Sequence, residues 1–114
     1  EFAEMYANKR LIPHVKGHQA VELQSALSPY VGKPIYLTID IDWFDPSCVP
    51  GTGTPEPGGY YWQDLSEIIQ IIKNHNIVAA DLVELSPHLD HSMVSSIFAA
   101  KITRSLILLM NQKK

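Results

Sequence analysis

IYLTIDID (Ile35 to Asp42) decides the fold of this chain. Apolar side chains fall at every second position, Ile35, Leu37, Ile39 and Ile41, with Tyr36, Thr38, Asp40 and Asp42 between them. A period of two sends alternate side chains to opposite faces of an extended backbone, so the stretch predicts a strand with one apolar face. Its β-branched and aromatic content agrees with that reading, and Gly32 and Pro34 punctuate its start. At its carboxyl end the same spacing sets Asp40 and Asp42 on one face.

Downstream, DPSCVPGTGTPEPGG (residues 45–59) holds four prolines and four glycines in fifteen residues, a density that excludes helix and regular strand. Helix is expected to resume near Trp62, with Leu65, Ile68, Ile69 and Ile72 on one stripe, and to end by Asn74 to Asn76. IVAADLV (Ile77 to Val83) reads as a buried strand, apolar on both faces, in the manner of parallel strands. Met93 to Met110 reads as a long helix with Phe98, Ile102, Leu106 and Leu109 on one face. Upstream, residues 19–28 predict a helix with Val21, Leu23 and Leu27 as its apolar contacts, stopped by Ser28-Pro29. Residues 11–18 read as a loop, and residues 1–10, with Phe2, Met5 and Tyr6 at helical spacing, as a further helix. Strand, helix and strand imply a right-handed parallel βαβ unit within an α/β sheet. Two strands covered on both sides predict neighbours beyond this chain.

The 114 residues and 12.8 kDa suit one domain, and 46% apolar with 18% charged residues is a globular balance. Nine Lys and Arg against 12 Asp and Glu give a net charge of −3. No basic footprint results, which argues against a nucleic-acid partner. The longest aliphatic run, Leu106 to Met110, is too short for a bilayer, so no membrane partner is expected either. No secretory leader is visible, and a lone cysteine, Cys48, excludes an internal disulfide. A reducing, cytoplasmic setting follows as the expectation. The chain begins at Glu1, within a plausible helix, so further sequence upstream is expected.

Chemistry concentrates at two strand ends. Asp40 and Asp42 place two like charges at an apolar strand end, a costly arrangement that a hard divalent cation would offset. An isolated pair of this kind is more often a solvated strand end or a turn cap. Asp45-Pro46 reads as a turn starter rather than a third ligand. Glu84 lies just past the second strand, on the rim where ligands of parallel sheets gather. It suits a guanidinium, and equally an ordinary surface glutamate. The proline-stiffened loop over residues 46–59 reads as a shaped rim, in which Thr54 is placed to orient a neighbouring carboxylate, or as a structural Ω-loop. His14, His18, His75, His88 and His91 form no tight metal spacing, and HLDHS (His88 to Ser92) reads as a solvated loop. Tyr60, Tyr61 and Trp62 read as packing, and Cys48 as a free thiol.

TIDIDWFDPSCVPGTGTPEPGG (Thr38 to Gly59), followed by DLVELSP (Asp81 to Pro87), closely resembles the ureohydrolase (arginase/agmatinase) family, and the PGTGTPEPGG wording is nearer its agmatinase branch. The resemblance runs from about Ile35 to the final helix. It implies a three-layer α/β/α sandwich with a parallel sheet, of which residues 1–114 are the C-terminal part. It also implies a binuclear manganese (Mn2+) site, with Asp40 and Asp42 as metal ligands, one of them bridging. Glu84 then grips the substrate guanidinium, with Thr54 close to it. Two metals lower the pKa of a water so that hydroxide attacks the guanidinium carbon near neutral pH. Agmatine would yield putrescine and urea, in a step of polyamine biosynthesis. Arginase or formimidoylglutamase chemistry, and a non-catalytic truncated module that binds metal or supports an oligomer, are the alternatives. The family's GGDH and DAHxD motifs have no counterpart here, so the isolated segment is expected to be inactive and its catalytic acid is not assigned. A homo-oligomer is expected from the family's habit.

Overall fold

The computed structural model describes residues 19–112. Its elements run α1 (Gln19–Leu27), β1 (Pro34–Asp40), α2 (Trp62–Ile72), β2 (Asn76–Val83) and α3 (Val94–Met110). Short 3-10 turns lie at Ser28–Tyr30, Ile41–Trp43 and Pro87–Leu89. The readings made for residues 1–10 and 11–18 lie outside the described residues.

β1 and β2 pair in parallel, with Ile35 beside Ile77, Leu37 beside Ala80, Ile39 beside Leu82 and Asp40 beside Val83. Strand, helix and parallel strand thus follow the order that the alternation predicts. The register slips by one residue between Ile35 and Tyr36, where Val78 is left over as a bulge. The inward row of β1 packs with the stripes of the helices. Ile39, Ile41, Phe44 and Val49 join Leu65 of α2 and Ala99, Ile102 and Leu106 of α3 in one cluster. A second cluster joins Ile72, Ile77 and Leu109, with Leu23, Leu27, Ile35, Leu37 and Ile68 against it.

Three expectations need correction. The alternation of β1 breaks at Asp40. Ile41 and Asp42 belong to a 3-10 turn, although Ile41 is still fully buried. Asp40 starts that turn by accepting the Asp42 N–H on its own Oδ1 at 2.9 Å, which satisfies a donor the strand ladder no longer uses. β2 is not covered on both faces: Ile77 is buried, but Val78 and Val83 are exposed. Its second face, like Tyr36 and Thr38 of β1, has no layer over it among the described residues. On that face the Tyr36 hydroxyl donates to Asp81 Oδ2. The Thr38 and Tyr36 hydroxyls hold the Asp81 carboxyl below the usual carboxylate range. Val21 is 75% exposed, whereas Leu23 and Leu27 do pack. Positions 23 and 27 lie one turn apart on the buried side of α1, and position 21 falls off it.

Candidate functional site

The site is built where the segment after β1 doubles back. Asp45 N–H donates to Tyr60 O at 2.9 Å and Tyr60 N–H to Trp43 O at 3.0 Å, which closes the neck of the proline-rich loop. Trp43 stacks on Tyr60 with centroids 4.3 Å apart, and Phe44 meets Phe98 of α3 edge-on at 4.7 Å. Trp62 packs edge-on against Phe98 and carries Lys101 Nζ over its ring at 3.8 Å. Tyr60 and Trp62 are packing groups, as the sequence suggested, whereas Tyr61 is 42% exposed.

Asp45 organises the loop from inside. Its Oδ1 accepts from Ser47 N at 2.9 Å and from Ser47 Oγ at 2.5 Å. Its Oδ2 accepts from Gly58 N at 2.9 Å and Gly59 N at 3.2 Å. One carboxylate thus ties both ends of the loop together, the turn-starting role extended across twelve intervening residues. These donors, the Ser47 hydroxyl first, lower its pKa from 3.8 to about 2. Asp90 plays the same part before α3. It accepts from Ser92 N and Oγ on Oδ1 and from Ser95 N on Oδ2. The Ser92 hydroxyl foremost, then Ser95, holds its carboxyl far below the usual range.

A carboxyl depressed in the folded state binds its proton less readily there than in the unfolded chain. Its contribution to stability is therefore whole above 3.8 and is lost as pH falls through about 2. The urea midpoint is expected to hold steady down to that window and to drop within it. Asp45→Asn should flatten the drop. A midpoint insensitive to acid in the unsubstituted chain would show that Asp45 is not so held.

Asp42 is where the geometry turns chemical. Thr54 Oγ1 donates to Asp42 Oδ2 at 2.5 Å. Asp42 Oδ1 is buried with no hydrogen-bond partner. A buried carboxylate oxygen without a donor carries a desolvation penalty unless a cation meets it. Hard oxygen ligands suit Mn2+ or Mg2+, so this oxygen and neighbouring Asp40 fit part of a divalent-metal site. Among the described residues, no three His, Cys, Asp or Glu side chains are grouped to hold a metal by themselves.

Glu84 follows Val83, the register partner of Asp40, so the carboxyl ends of both strands share one rim. It adopts a left-handed backbone with φ 66°. That conformation costs roughly 1–2 kcal/mol for a residue other than glycine. Flanking contacts hold it. Thr52 and Leu85 form an antiparallel bridge, and Ser86 N–H donates to Gly51 O at 2.8 Å. The loop that sends Thr54 to Asp42 therefore also braces Glu84. Elsewhere, His88 and His91 are exposed, in keeping with a solvated loop, but Asp90 between them is buried. Cys48 is a free thiol whose pKa is raised, chiefly by burial. No helix among the described residues is long and apolar enough to cross a membrane.

Sequence reasoning placed Asp90 in a solvated loop and gave Ser95 and Gly51 no partner. An aspartate followed at +2 by serine just before an apolar helix is a turn and cap signature that would have pointed to Asp90. Nothing local marks Ser95 as the partner of Gly51, 44 residues away.

A parallel strand pair with aspartate and glutamate at its carboxyl ends on one rim defines an α/β architecture. Residues 4–109 match the model of the arginase family. The chain belongs to that family, and its α/β fold is arginase-like, with part of the fold present. An agmatinase from Chromobacterium violaceum is 46% identical over 81 residues, 71% of this chain and 25% of that protein. One from Halalkalibacterium halodurans is 39% identical over 105 residues, 90% of this chain and 36% of that protein. A Clostridium difficile protein of known structure superposes with a TM-score of 0.80 at 43% identity, covering 96% of this chain and 40% of its own. The chain thus spans between a quarter and about a third of the curated relatives it matches.

Proposed function

We propose that the protein carrying this chain is a manganese-dependent hydrolase that cleaves agmatine to putrescine and urea. Residues 1–114 then form the C-terminal part of its single catalytic domain. The observation that carries the reading is the Asp42 carboxylate, with one oxygen fixed by Thr54 and the other buried and unpartnered. Asp40 and Asp42 would hold metal, and further ligands would come from outside the described residues. Manganese, when bound, supplies a Lewis acid that lowers the pKa of water to near neutrality. Glu84 binds the guanidinium through paired charge-assisted hydrogen bonds and so sets the position of its central carbon. Thr54 restricts the rotation of Asp42 and so would leave its second oxygen free to hold a metal. The agmatinase relatives support agmatine over other guanidino compounds as substrate. The lone Cys48 supports a cytoplasmic setting. Exposed Ile97, Ile107 and Leu108 on α3 support self-association.

Urea release from agmatine by the whole protein, restored by manganese after chelation, is the expected result. Urea from arginine, or formamide from formimidoylglutamate, in its place would reassign the substrate. No urea or formamide from any of the three, with manganese bound, would overturn the hydrolase reading.

A further inference from the structure

We propose that Ser95 is a positioning residue whose hydroxyl, acting through Gly51, locks the segment over residues 84–86 and thereby aims the Glu84 carboxylate. The substrate side of this inference rests on the hydrolase reading above, while the lock itself does not. Ser95 is fully buried at the start of α3. Its N–H donates to Asp90 Oδ2 at 2.8 Å, and its hydroxyl interacts with the same carboxylate. That hydroxyl oxygen accepts the Gly51 N–H at 2.8 Å. On its other side, the Gly51 carbonyl accepts the Ser86 N–H at 2.8 Å. One residue, Gly51, therefore links the buried start of α3 to the residue two beyond Glu84 through the two peptide groups that flank its Cα.

The fit at Gly51 leaves no slack. A Cβ built there would lie 2.8 Å from Ser95 Oγ and 2.9 Å from Asp90 Cβ. Glu84 needs such support, because its left-handed backbone relaxes toward ordinary φ values once its flanks are free. Without the Ser95 hydroxyl, the Gly51 N–H is buried with no partner and the Gly51 segment is free to shift. The Ser86 bond and the Thr52–Leu85 bridge shift with it. Ser95 touches neither metal nor substrate on this account, and acts only through the loop.

The test compares Ser95→Thr, which keeps the hydroxyl, with Ser95→Val, which has the same shape without it, in the full protein. Amide hydrogen exchange at Gly51 and Ser86 is expected to quicken at least about tenfold in Ser95→Val while the Ile102 amide in mid-helix stays unchanged. Ser95→Thr, which adds the same bulk as Val but keeps the hydroxyl, should exchange more slowly at both amides than Ser95→Val. The KM for agmatine should rise about tenfold in Ser95→Val with kcat nearly kept, the mark of weakened binding rather than lost chemistry. Equal exchange at Ser86 in the Thr and Val forms overturns the lock. Faster exchange with an unchanged KM overturns the link to Glu84. If the unsubstituted protein cleaves no guanidino compound, the hydrolase reading fails, and the exchange rates still decide the lock.

Discussion

Asp42→Ala is expected to lower bound manganese below that of the unsubstituted protein and to cut urea release from agmatine by at least about 100-fold, since even residues that merely support a metal ligand commonly account for 10–100-fold. The expectation comes from two oxygens with different surroundings. Oδ2 is held by Thr54, and Oδ1 is buried with nothing to meet it. In the absence of metal, such a carboxylate is a liability to the fold, because a charge taken from water without compensation opposes folding. Asp42→Asn removes the charge and keeps the shape. Chelated Asp42→Asn protein should be at least as stable as chelated unsubstituted protein, and manganese should stabilise only the latter. Thermal midpoints with manganese and with chelator check this. Full metal occupancy in Asp42→Ala would remove Asp42 from the ligand set.

Gly59→Ala should have the largest effect on folding, a loss on the order of 3 kcal/mol or more. A Cβ at this position would lie 2.5 Å from the Asp45 nitrogen and 2.6 Å from the Phe44 carbonyl carbon. Both are backbone atoms at the neck of the loop, so no side chain can rotate away. The neck would have to open, which strains the Asp45–Tyr60 and Tyr60–Trp43 backbone bonds and pulls Gly59 N–H from Asp45. The melting temperature of the whole protein is then expected to fall by roughly 5 °C or more. Gly53→Ala is the control. Nothing lies within 4 Å of its Cβ, and its effect should be small. If the two variants melt alike, the close approach at Gly59 is not a constraint on the fold.

Much of the scaffold was legible in the chain itself. The alternation from Ile35 to Ile39 gave β1 and its inward face, because a strand's side chains take sides by counting alone. The stripe Leu65, Ile68, Ile69, Ile72 gave α2, and the density of proline and glycine marked the loop between them. Counting fails at Asp40, where a side chain captures the Asp42 N–H and turns the backbone. Ile41 is buried as the alternation requires, yet by a turn and not by the strand. For β2, apolar composition indicated a strand without revealing which face is covered. Val78 and Val83 are as apolar as Ile77 but remain exposed. Burial depends on which layer is present, and composition is silent about that.

By itself, then, the order of residues determined the elements, their parallel pairing and the acidic residues at the strand ends. Those follow from periodicity and from the restricted backbones of proline and glycine, which act between near neighbours. Only the tertiary structure decided that Thr54 meets Asp42, that Gly51 is wedged against Ser95, and that Glu84 is braced beside Leu85 in a left-handed backbone conformation. Each of these is a contact across many residues, or depends on one, and its geometry is set by loop closure and close packing, which no local pattern encodes.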